Sequence, residues 1–494
     1  MPLGGFIAPF PCEDDKTSFD ERGHLEFSPH DPENPKNYSL ARKYWITTIA
    51  ITFVANATFS SSAPTGSLEG ISEDLHVSKE AAGLVTTLFL LGYVAGPLFW
   101  APLSEFYGRR WIFHISFLLY IAFGFLCAFT PNFAGLLVGR FISGTAASAA
   151  LTNAPGILAD IWDPVGRYNA MILFSVVTFV GPALGPVISG FLQLKESWHW
   201  TFYALLWMAG GTELMLITLP ETLPATVLLN KARRLRKEPS NTHIKAPVEV
   251  EDRTLMSIFK TALTRPWILL FDTINFFIAI YYAVVYTLLY MLFAIYPIVF
   301  QQKRGWNTGV GELPLLGTVI GAFLGGLALY IFALKDQKNP SRKNKTSTPE
   351  DRLLGAMAGA VLLVVSVFWF AWTAEYNSIH WIVPTIAGVF LAAAILLIFV
   401  VLINYVIDSY EIYAASAVAA NTVLRSACAA SSPLFTDYMF NALGVGGAGS
   451  LIGVIAVLLL PIPFVFRKYG AALRARSKYA TTDKWSDSHD NKGW

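Results

Sequence analysis

Long apolar runs alternate with short polar stretches along almost the whole chain. An α-helix rises about 1.5 Å per residue, so a run of about 20 apolar residues can cross the hydrocarbon core of a bilayer. The pattern therefore predicts an all-α membrane protein with twelve transmembrane helices. We place these spans at residues 44–64, 81–103, 111–130, 133–158, 168–192, 198–219, 267–300, 312–333, 353–373, 381–407, 411–436 and 446–466.

A polar linker at residues 220–266 divides the spans into two bundles of six. We predict the bundles at residues 44–219 and 267–466, with an N-terminal tail at residues 1–43 and a C-terminal tail at residues 467–494. Two sets of six helices around a polar linker are typical of transporters that are built from two repeated halves. We find no residue-level repeat between the halves, so this inference rests on the hydropathy pattern.

Composition and charge support a membrane protein and give its orientation. Only 14% of the residues are charged, whereas about 25% is usual in soluble proteins. The net charge of +2 gives no reason to expect a nucleic-acid partner. If both tails are cytoplasmic, the cytoplasmic segments hold 30 of the 36 Lys and Arg residues, which is the asymmetry of the positive-inside rule. Residues 227–237 predict a basic amphipathic helix, either on the inner membrane surface or solvated within the linker.

The fifth span carries small residues and prolines at regular spacing. Gly181, Gly185 and Ser189 lie four residues apart on one helical face, and such stripes let two helix backbones approach closely in lipid. Pro182 and Pro186 each remove a backbone hydrogen-bond donor from the same helix. The stripe predicts either static packing or a smooth surface on which a partner helix moves.

The polar loop after the second span contains Glu105, Gly108, Arg109 and Arg110. Gly108 suits a tight turn. A carboxylate and two guanidinium groups in a loop of seven residues can form a charge-assisted latch to neighbouring helix ends. The alternative is simple anchoring of the loop at the inner surface by its positive charges.

Together these motifs resemble those of the Major Facilitator Superfamily. The loop resembles the signature Gly-x-Leu-x-Asp-x-x-Gly-Arg-Arg/Lys, with Ala101 in place of the first Gly and Glu105 in place of Asp. The segment from Gly181 to Gly190 is similar to the span 5 signature of the fungal twelve-span drug:proton antiporter branch, with Pro186 at a usual Gly position. Further matches lie at Arg140 with Gly144 and at residues 198–200, 220–222, 296–297, 414–425 and 468–478.

The resemblance implies a central cavity lined mainly by spans 1, 4, 7 and 10, with spans 2, 5, 8 and 11 at the seam between the halves. It would then pair the stripe of span 5 across the seam with a second stripe in span 8, formed by Gly317, Gly321 and Gly325. It also implies alternating access by rocking of the two halves. The loop signature would stabilise the closed cytoplasmic side of the outward-facing state.

Two arginines lie inside predicted spans, where a charge costs about 2.5–3.5 kcal/mol at the bilayer centre. By resemblance, Arg140 is a proton-coupling or substrate-cavity residue, and the alternative is that it caps backbone carbonyls of a broken helix. Arg425 lies in span 11 with Asn421 one turn earlier, and we weigh a structural interlock equally with substrate contact.

Acidic residues are the candidates for a proton carrier. Glu213 lies in span 6, and Asp272 lies near the inner end of span 7, where it alternatively reaches the membrane interface. Asp408 and Glu411 lie at the inner ends of spans 10 and 11, where they could instead partner the Arg pair of the loop. The sequence does not decide which carboxylate carries the proton.

Polar and aromatic residues predict the chemistry of the cavity. Asn56 lies in span 1 and Asn153 in span 4, while Tyr282, Tyr286 and Tyr290 repeat every fourth residue on one face of span 7. Aromatic faces with few fixed charges suit organic, partly apolar ligands, which would be anionic given Arg140. The alternative is that the tyrosines only pack against other helices.

We therefore expect a secondary active transporter that exports drugs, secondary metabolites or organic acids in exchange for protons. An importer or a polyamine exporter of the same superfamily is the alternative, and a membrane enzyme or a nutrient sensor is less favoured. The expected partners are a small-molecule substrate, protons and the lipid bilayer, with no cofactor, metal or nucleic acid. We expect a monomer in the plasma membrane, with the vacuolar membrane as the alternative.

Overall fold

The secondary structure is almost entirely α-helical, as the apolar runs predict. The structure is a computed structural model that describes residues 18–19, 23–237, 244–250, 254–338 and 348–480. In these ranges the only sheet is the antiparallel pair β1 (Ser18–Phe19) and β2 (Leu25–Glu26). The helices are α1 (Leu40–Ser62), α2 (Leu68–Asp74), α3 (Lys79–Tyr107), α4 (Arg109–Phe129), α5 (Phe133–Ile161), α6 (Pro164–Gln193), α7 (His199–Leu216), α8 (Pro224–Leu235), α9 (Pro247–Val250), α10 (Leu255–Leu270), α11 (Thr273–Tyr296), α12 (Thr308–Glu312), α13 (Leu316–Lys338), α14 (Leu354–Glu375), α15 (Ile382–Tyr410), α16 (Ala414–Leu459) and α17 (Pro461–Arg476).

Ten segments among the described residues are long and apolar enough to cross a membrane. One of them, residues 414–476, contains two antiparallel arms and therefore supplies two crossings. The sixth predicted span is α7, whose 18 residues include His199 and Glu213, and it packs against α4 and α1. The structure thus contains the twelve predicted spans.

The last two spans are joined by a reversal at Gly444. Its φ of +71° lies in the left-handed region, which favours glycine because it has no Cβ. After this reversal, Gly449 packs against Ala371 and Gly453 against Phe368 of α14. Along the second arm of α16 the residue numbers rise while the numbers of the contacted residues in α14 fall, so the second arm runs antiparallel to α14. We call the end of the bundle with the start of α1 and the end of α17 the tail face, and the opposite end the far face.

The two halves repeat the same helix pairings. In the first half α1 packs on α6 and α3 packs on α5, and in the second half α11 packs on α16 and α13 packs on α15. In terms of the predicted spans, the first half pairs span 1 with span 5 and span 2 with span 4. The second half pairs span 7 with span 11 and span 8 with span 10. The second set is the first shifted by six spans, so the repeat that is invisible in the residues is present in the packing.

The small-residue stripes lie inside the halves and not between them. A Cβ added at Gly181 would collide with Thr58 of α1, and one added at Gly321 would collide with the carbonyl oxygen of Val389 in α15. The expectation that the two stripes face each other across the seam is therefore wrong. Such stripes suit helix pairs that stay in close contact, and those pairs belong to one half. Gly190 is different, because it faces α12 of the other half.

The N-terminal segment packs on the linker. Lys231 Nζ donates to Asp31 Oδ2 at 2.8 Å, and both side chains are almost fully buried. Leu25 forms a small apolar cluster with Ile244 and with residues of α8. The predicted amphipathic helix is confirmed as α8, and its apolar side packs on the chain's own residues in these ranges.

The predicted start of the seventh span at residue 267 is wrong. Residues 267–270 belong to α10, and α11 begins only at Thr273. Exposed apolar side chains at Trp267, Ile268 and Phe271 continue the hydrophobic pattern beyond the end of the span. Hydropathy does not separate such a flanking helix from the span that it leads into.

We predict that Gly321→Ala destabilises the second half, because its Cβ would meet the backbone of α15. Overpacking of this kind costs about 1–3 kcal/mol. The measurement is the thermal unfolding midpoint of the purified protein in detergent. Gly210→Ala is the matched control, since a Cβ there has nothing within 4 Å. Equal midpoints for the two variants would contradict the assigned packing.

Candidate functional site

Arg140 of α5 holds the broken end of α1. Pro64 has no N–H, so the carbonyl of Ser60, four residues earlier, loses its helical donor. Arg140 Nη2 donates to this carbonyl at 2.9 Å, and Nε donates to the carbonyl of Val85 at 3.0 Å. The guanidinium also lies 4.0 Å from the centre of the Phe89 ring. These contacts support the structural alternative, in which Arg140 caps the carbonyls of a broken helix.

A proline of α6 also leaves a backbone carbonyl without its helical donor, and α1 supplies a donor to it. Pro186 has no N–H, so the carbonyl of Pro182 lacks its helical donor, and Ser62 Oγ of α1 donates to it at 2.7 Å. Gly185 makes this approach possible, since a Cβ there would lie 2.5 Å from Ser62 Oγ. The segment from Gly181 to Pro186 therefore fixes α1 to α6 inside the first half.

Two predicted residues of the first half lie away from the seam. Asn56 donates from Nδ2 to Thr212 Oγ1 at 2.8 Å and accepts from the hydroxyl of Tyr120 at 3.3 Å. It therefore faces α7 and α4, which corrects its prediction as a cavity residue. Glu213 lies 2.9 Å from His114 Nδ1, again between α7 and α4. Asn56 therefore finds its partners within its own bundle, whereas only Oε1 of Glu213 does so, because Glu213 Oε2 is buried with no hydrogen-bond partner among the described residues.

The three tyrosines of α11 lie at the centre, where the halves meet. The hydroxyl of Tyr290 is 2.8 Å from Ser61 Oγ of α1, which is a hydrogen bond between the halves. The rings of Tyr286 and Tyr290 are 5.2 Å apart, and the hydroxyl of Tyr282 donates to the carbonyl of Phe399 at 2.7 Å. Each tyrosine is at most 3% exposed. The centre of the structure is therefore closed.

Arg425 of α16 lies beside these tyrosines, and the described part of the chain gives it no polar partner. Its guanidinium is 4.8 Å from the ring centre of Tyr286 and 4.9 Å from that of Phe399. Its Nε is buried and has no hydrogen-bond partner, and no carboxylate pairs with it among the described residues. Asn153 of α5 also has a buried amide nitrogen with no partner in these ranges. These atoms would be available to a polar ligand once the centre opens, whereas the main donors of Arg140 already meet carbonyls.

Asn421 and Asp272 hold the tail-face half of α11. Asn421 Nδ2 donates to Asn275 Oδ1 at 2.8 Å, so Asn421 bonds to α11 and not to Arg425. Asp272 accepts hydrogen bonds from the hydroxyl of Tyr410 and, at 2.8 Å, from Ser477 Oγ. Asp272 therefore ties three chain segments together, which favours a structural role over proton transfer.

The loop signature is tighter than the sequence predicts. α3 continues to Tyr107, and Gly108 alone separates it from α4, with φ +96°. Glu221 accepts from the backbone N–H of Arg109 at 3.0 Å, so its carboxylate caps the N-terminus of α4. Arg109 Nε donates to Asp160 Oδ2 at 3.3 Å, and Nη1 donates to Ser104 Oγ at 3.0 Å. The latch joins α3, α4 and α5 within the first half.

Three parts of the latch prediction are wrong. The loop is one residue long, Glu105 is exposed, and the carboxylates of the latch are Glu221 and Asp160. Arg110 contributes its backbone N–H to Glu221 at 3.2 Å, while its side chain is exposed. Asp408 pairs with Arg352 at 2.9 Å instead of with the Arg pair, and Glu411 is exposed. A carboxylate favours the free N–H groups at a helix N-terminus, and Glu221 reaches them.

Two cavities open from opposite ends of the seam. A tail-face cavity of about 360 Å³ lies between α6 and α13 and includes Arg167, Arg352 and Asp408 in its lining. A far-face vestibule of about 70 Å³ reaches down to Tyr290 and is lined by both halves. Glu312, which is 1% exposed, lines this vestibule. Glu312 is not among the predicted site residues, because it lies at the very start of the predicted eighth span, where a charged residue is ordinary.

Comparison with known proteins identifies the family. The pattern of the Major Facilitator Superfamily matches residues 48–433, which is more than half of the chain. The chain belongs to the Major Facilitator Superfamily. The resemblance drawn from the loop and span 5 motifs is thus confirmed, and the superfamily consists of transporters and not of enzymes.

Relatives and a solved structure agree with this assignment. The chain is 39% identical over 462 residues to the efflux pump FUBT of Fusarium oxysporum, which covers 92% of this chain and 77% of that protein. It is 39% identical over 461 residues to the citrinin biosynthesis cluster MFS transporter mrr1 of Monascus ruber, covering 92% of each. The proton:xylose symporter XylE shares the fold with a TM-score of 0.63 and 16% identity, over 87% of this chain and 96% of that one.

For this superfamily member we predict that Arg140 and Pro64 are energetically coupled. Arg140→Ala leaves the Ser60 carbonyl without a donor, which costs about 1–3 kcal/mol when the group is buried. Pro64→Ala restores an N–H at the position that normally serves this carbonyl. The double variant should therefore lose less stability than the sum of the two single variants.

The measurement is a double-mutant cycle on thermal unfolding midpoints in detergent. Strictly additive losses would show that Arg140 does not compensate for Pro64. Normal stability of Arg140→Ala with loss of transport would favour the cavity role over the structural one.

Proposed function

We propose that this protein is a proton-coupled exporter of small organic molecules, above all of partly apolar organic anions. The proposal covers drugs, secondary metabolites and organic acids as substrate types. It is supported by superfamily membership and by the names of two relatives, of which one is an efflux pump and the other belongs to a metabolite biosynthesis cluster.

The observation that carries the substrate class is Arg425, which has no hydrogen-bond or ion-pair partner among the described residues. A buried cation without a counter-charge is unfavourable, and a bound carboxylate or sulfonate would supply charge-assisted hydrogen bonds. The rings of Tyr286 and Phe399 flank the guanidinium and offer contact to an apolar ligand body. Phe179 of the first half lies 5.2 Å from Phe399, so a ligand at this place would touch both halves.

The alternatives fit this centre less well. A polyamine would bring positive charge next to Arg425, and like charges repel strongly in a desolvated site. An importer would use the same residues, so the direction of transport must be measured. The candidate cavity residues of this proposal are Arg425, Tyr286, Tyr290, Tyr282 and Asn153.

We infer the orientation in the membrane from the distribution of positive charge. The two tails and the loops predicted on their side of the membrane hold 30 of the 36 Lys and Arg residues in the sequence, and we assign this side, with the tail face, to the cytoplasm by the positive-inside rule. The far-face vestibule then opens outward, to the cell exterior in the plasma membrane or to the lumen in the vacuolar membrane. Protons would enter from this side, and we propose that a single chain, which supplies both halves of the seam, acts as a monomer.

Alternating access has a physical basis in the seam. The hydrogen bond between Tyr290 and Ser61 joins the halves at the centre, and α12 packs on the end of α6 at the far face. Breaking the far-face contact would open a path to Arg425 from outside. The pairs α1–α6 and α13–α15 stay in contact through their glycines, so each half can move as a rigid body.

The test is transport in inside-out vesicles with the tail face outward and an acidic lumen. We expect uptake of a naphthalenesulfonate, which cannot cross the bilayer as a neutral acid, and collapse of this uptake by a protonophore. Spermidine and a neutral aromatic alcohol test the other substrate classes. Uptake that ignores the gradient, or no uptake of any probe, would contradict the proposal.

Removal of the central cation should selectively impair anion transport. Arg425→Gln keeps a polar side chain but loses the charge-assisted pair, worth about 1.5–3 kcal/mol, so uptake of the anion should fall about tenfold or more. Arg425→Lys should retain part of the activity, because it keeps the charge but not the flat stacking surface. Arg467→Gln, on the exposed tail-face surface, is the control. Unchanged anion uptake by Arg425→Gln would exclude this site.

A further inference from the structure

Glu312 lies where the two halves meet at the far face. It is the last residue of α12, and α12 packs against the end of α6. A Cβ added at Gly190 would lie 3.1 Å from Glu312 Cγ, and one added at Gly309 would lie 2.9 Å from the ring of Phe191. The fifth-span motif therefore ends against the helix turn that carries this carboxyl group.

The carboxyl group of Glu312 has few hydrogen-bond partners. Gln301 Nε2 donates to Glu312 Oε1 at 2.9 Å, and Glu312 Oε2 is buried with no partner among the described residues. An ionised carboxylate with one neutral donor and no cation is strongly unfavourable in such a site. A protonated carboxyl group fits the closed arrangement far better.

The other ionisable groups around Glu312 do not neutralise it. Lys303 pairs with Glu375 at 2.7 Å, and Arg304 lies 5.7 Å from the ring centre of Phe300. No Lys, Arg or His forms an ion pair with Glu312 in the part of the chain that the structure describes. The remaining charged groups on the surrounding elements are more exposed than Glu312, namely Glu69, Lys79, Asp437, Lys195 and Glu196.

We propose that Glu312 is a proton-operated gate: the far face closes only when this carboxyl group has taken up a proton from the vestibule. When α6 and α12 separate, water reaches Glu312 and the carboxylate can ionise. Closure then requires a proton to bind at a carboxylate oxygen, because packing of Gly190 on α12 removes the water. The inference deepens the proposed function and rests on it, since it names the group through which external protons act on the transport cycle.

The test measures far-face opening without substrate and without a pH gradient. Thr65→Cys, in a background with Cys12, Cys127 and Cys428 replaced by alanine, places a reporter in the vestibule lining. Its labelling by a membrane-impermeant maleimide is followed from acidic to alkaline buffer. Thiol reactivity itself changes with pH. At each pH the labelling rate of the Thr65→Cys reporter is therefore divided by the labelling rate of the same reporter in a protein that also carries Glu312→Gln.

We expect this ratio to rise towards alkaline pH, by up to about tenfold per pH unit for one coupled proton. Glu312→Gln mimics the neutral acid and should keep the far face closed throughout. Glu69→Gln, the same substitution on an exposed residue of the same vestibule, should leave the pH profile of the native protein unchanged. The proposal would be overturned if the ratio of the native labelling rate to the Glu312→Gln rate did not change with pH. It would also be overturned if Glu69→Gln changed the pH profile as much as Glu312→Gln does.

A second variant guards against a folding defect in Glu312→Gln. Gln301→Leu removes the single donor to the carboxyl group, so opening should need a more alkaline buffer than in the native protein. An unchanged midpoint for Gln301→Leu would also overturn the proposal. Because labelling requires no substrate, this outcome is independent of the vesicle assay: the gate can fail while export is demonstrated, and the reverse.

Discussion

A backbone carbonyl that loses its helical donor inside a bilayer has no water to replace it, and the first half is organised around this constraint. Pro64 and Pro186 each free one carbonyl, at Ser60 and at Pro182. Arg140 serves the first carbonyl at 2.9 Å, and Ser62 serves the second at 2.7 Å. Both bonds involve the last turn of α1, so α1, α5 and α6 become one rigid unit. The glycines of α6 are needed because only they let α1 come close enough.

The same constraint gives the two intramembrane arginines, Arg140 and Arg425, different roles. Arg140 is held by carbonyls of its own half, and a cation–π contact with the Phe89 ring further stabilises its charge. Arg425 has aromatic neighbours but no acceptor among the described residues. An arginine with its donors bound to backbone stabilises the fold whether or not a ligand is present. An arginine with free donors at the seam needs a bound ligand to supply hydrogen-bond acceptors. The substrate class is therefore inferred from Arg425.

The sequence predicted the fold well because membrane helices are specified by length and hydropathy, which are local properties. Contacts across helices are different. Glu105 lies in the loop signature, yet Glu221, more than a hundred residues later, reaches the N-terminus of α4. The facing of the glycine stripes was wrong for a related reason: a stripe shows that a close partner exists but not which helix it is. Glu312 was missed because burial at a span end depends on what packs over it.

The proposed gate and the proposed substrate site lie on opposite sides of Tyr290. Tyr290 forms the floor of the vestibule that Glu312 lines, and its ring contacts Tyr286, which in turn lies beside Arg425. Separation of α6 from α12 would also move α1, because Ser62 is bonded to Pro182, and it would thereby strain the bond between Ser61 and Tyr290. A proton at Glu312 and an anion at Arg425 would then bias the same rigid-body motion. Coupling of this kind requires no contact between the two ligands, only two sites that differ in affinity between the open and closed arrangements.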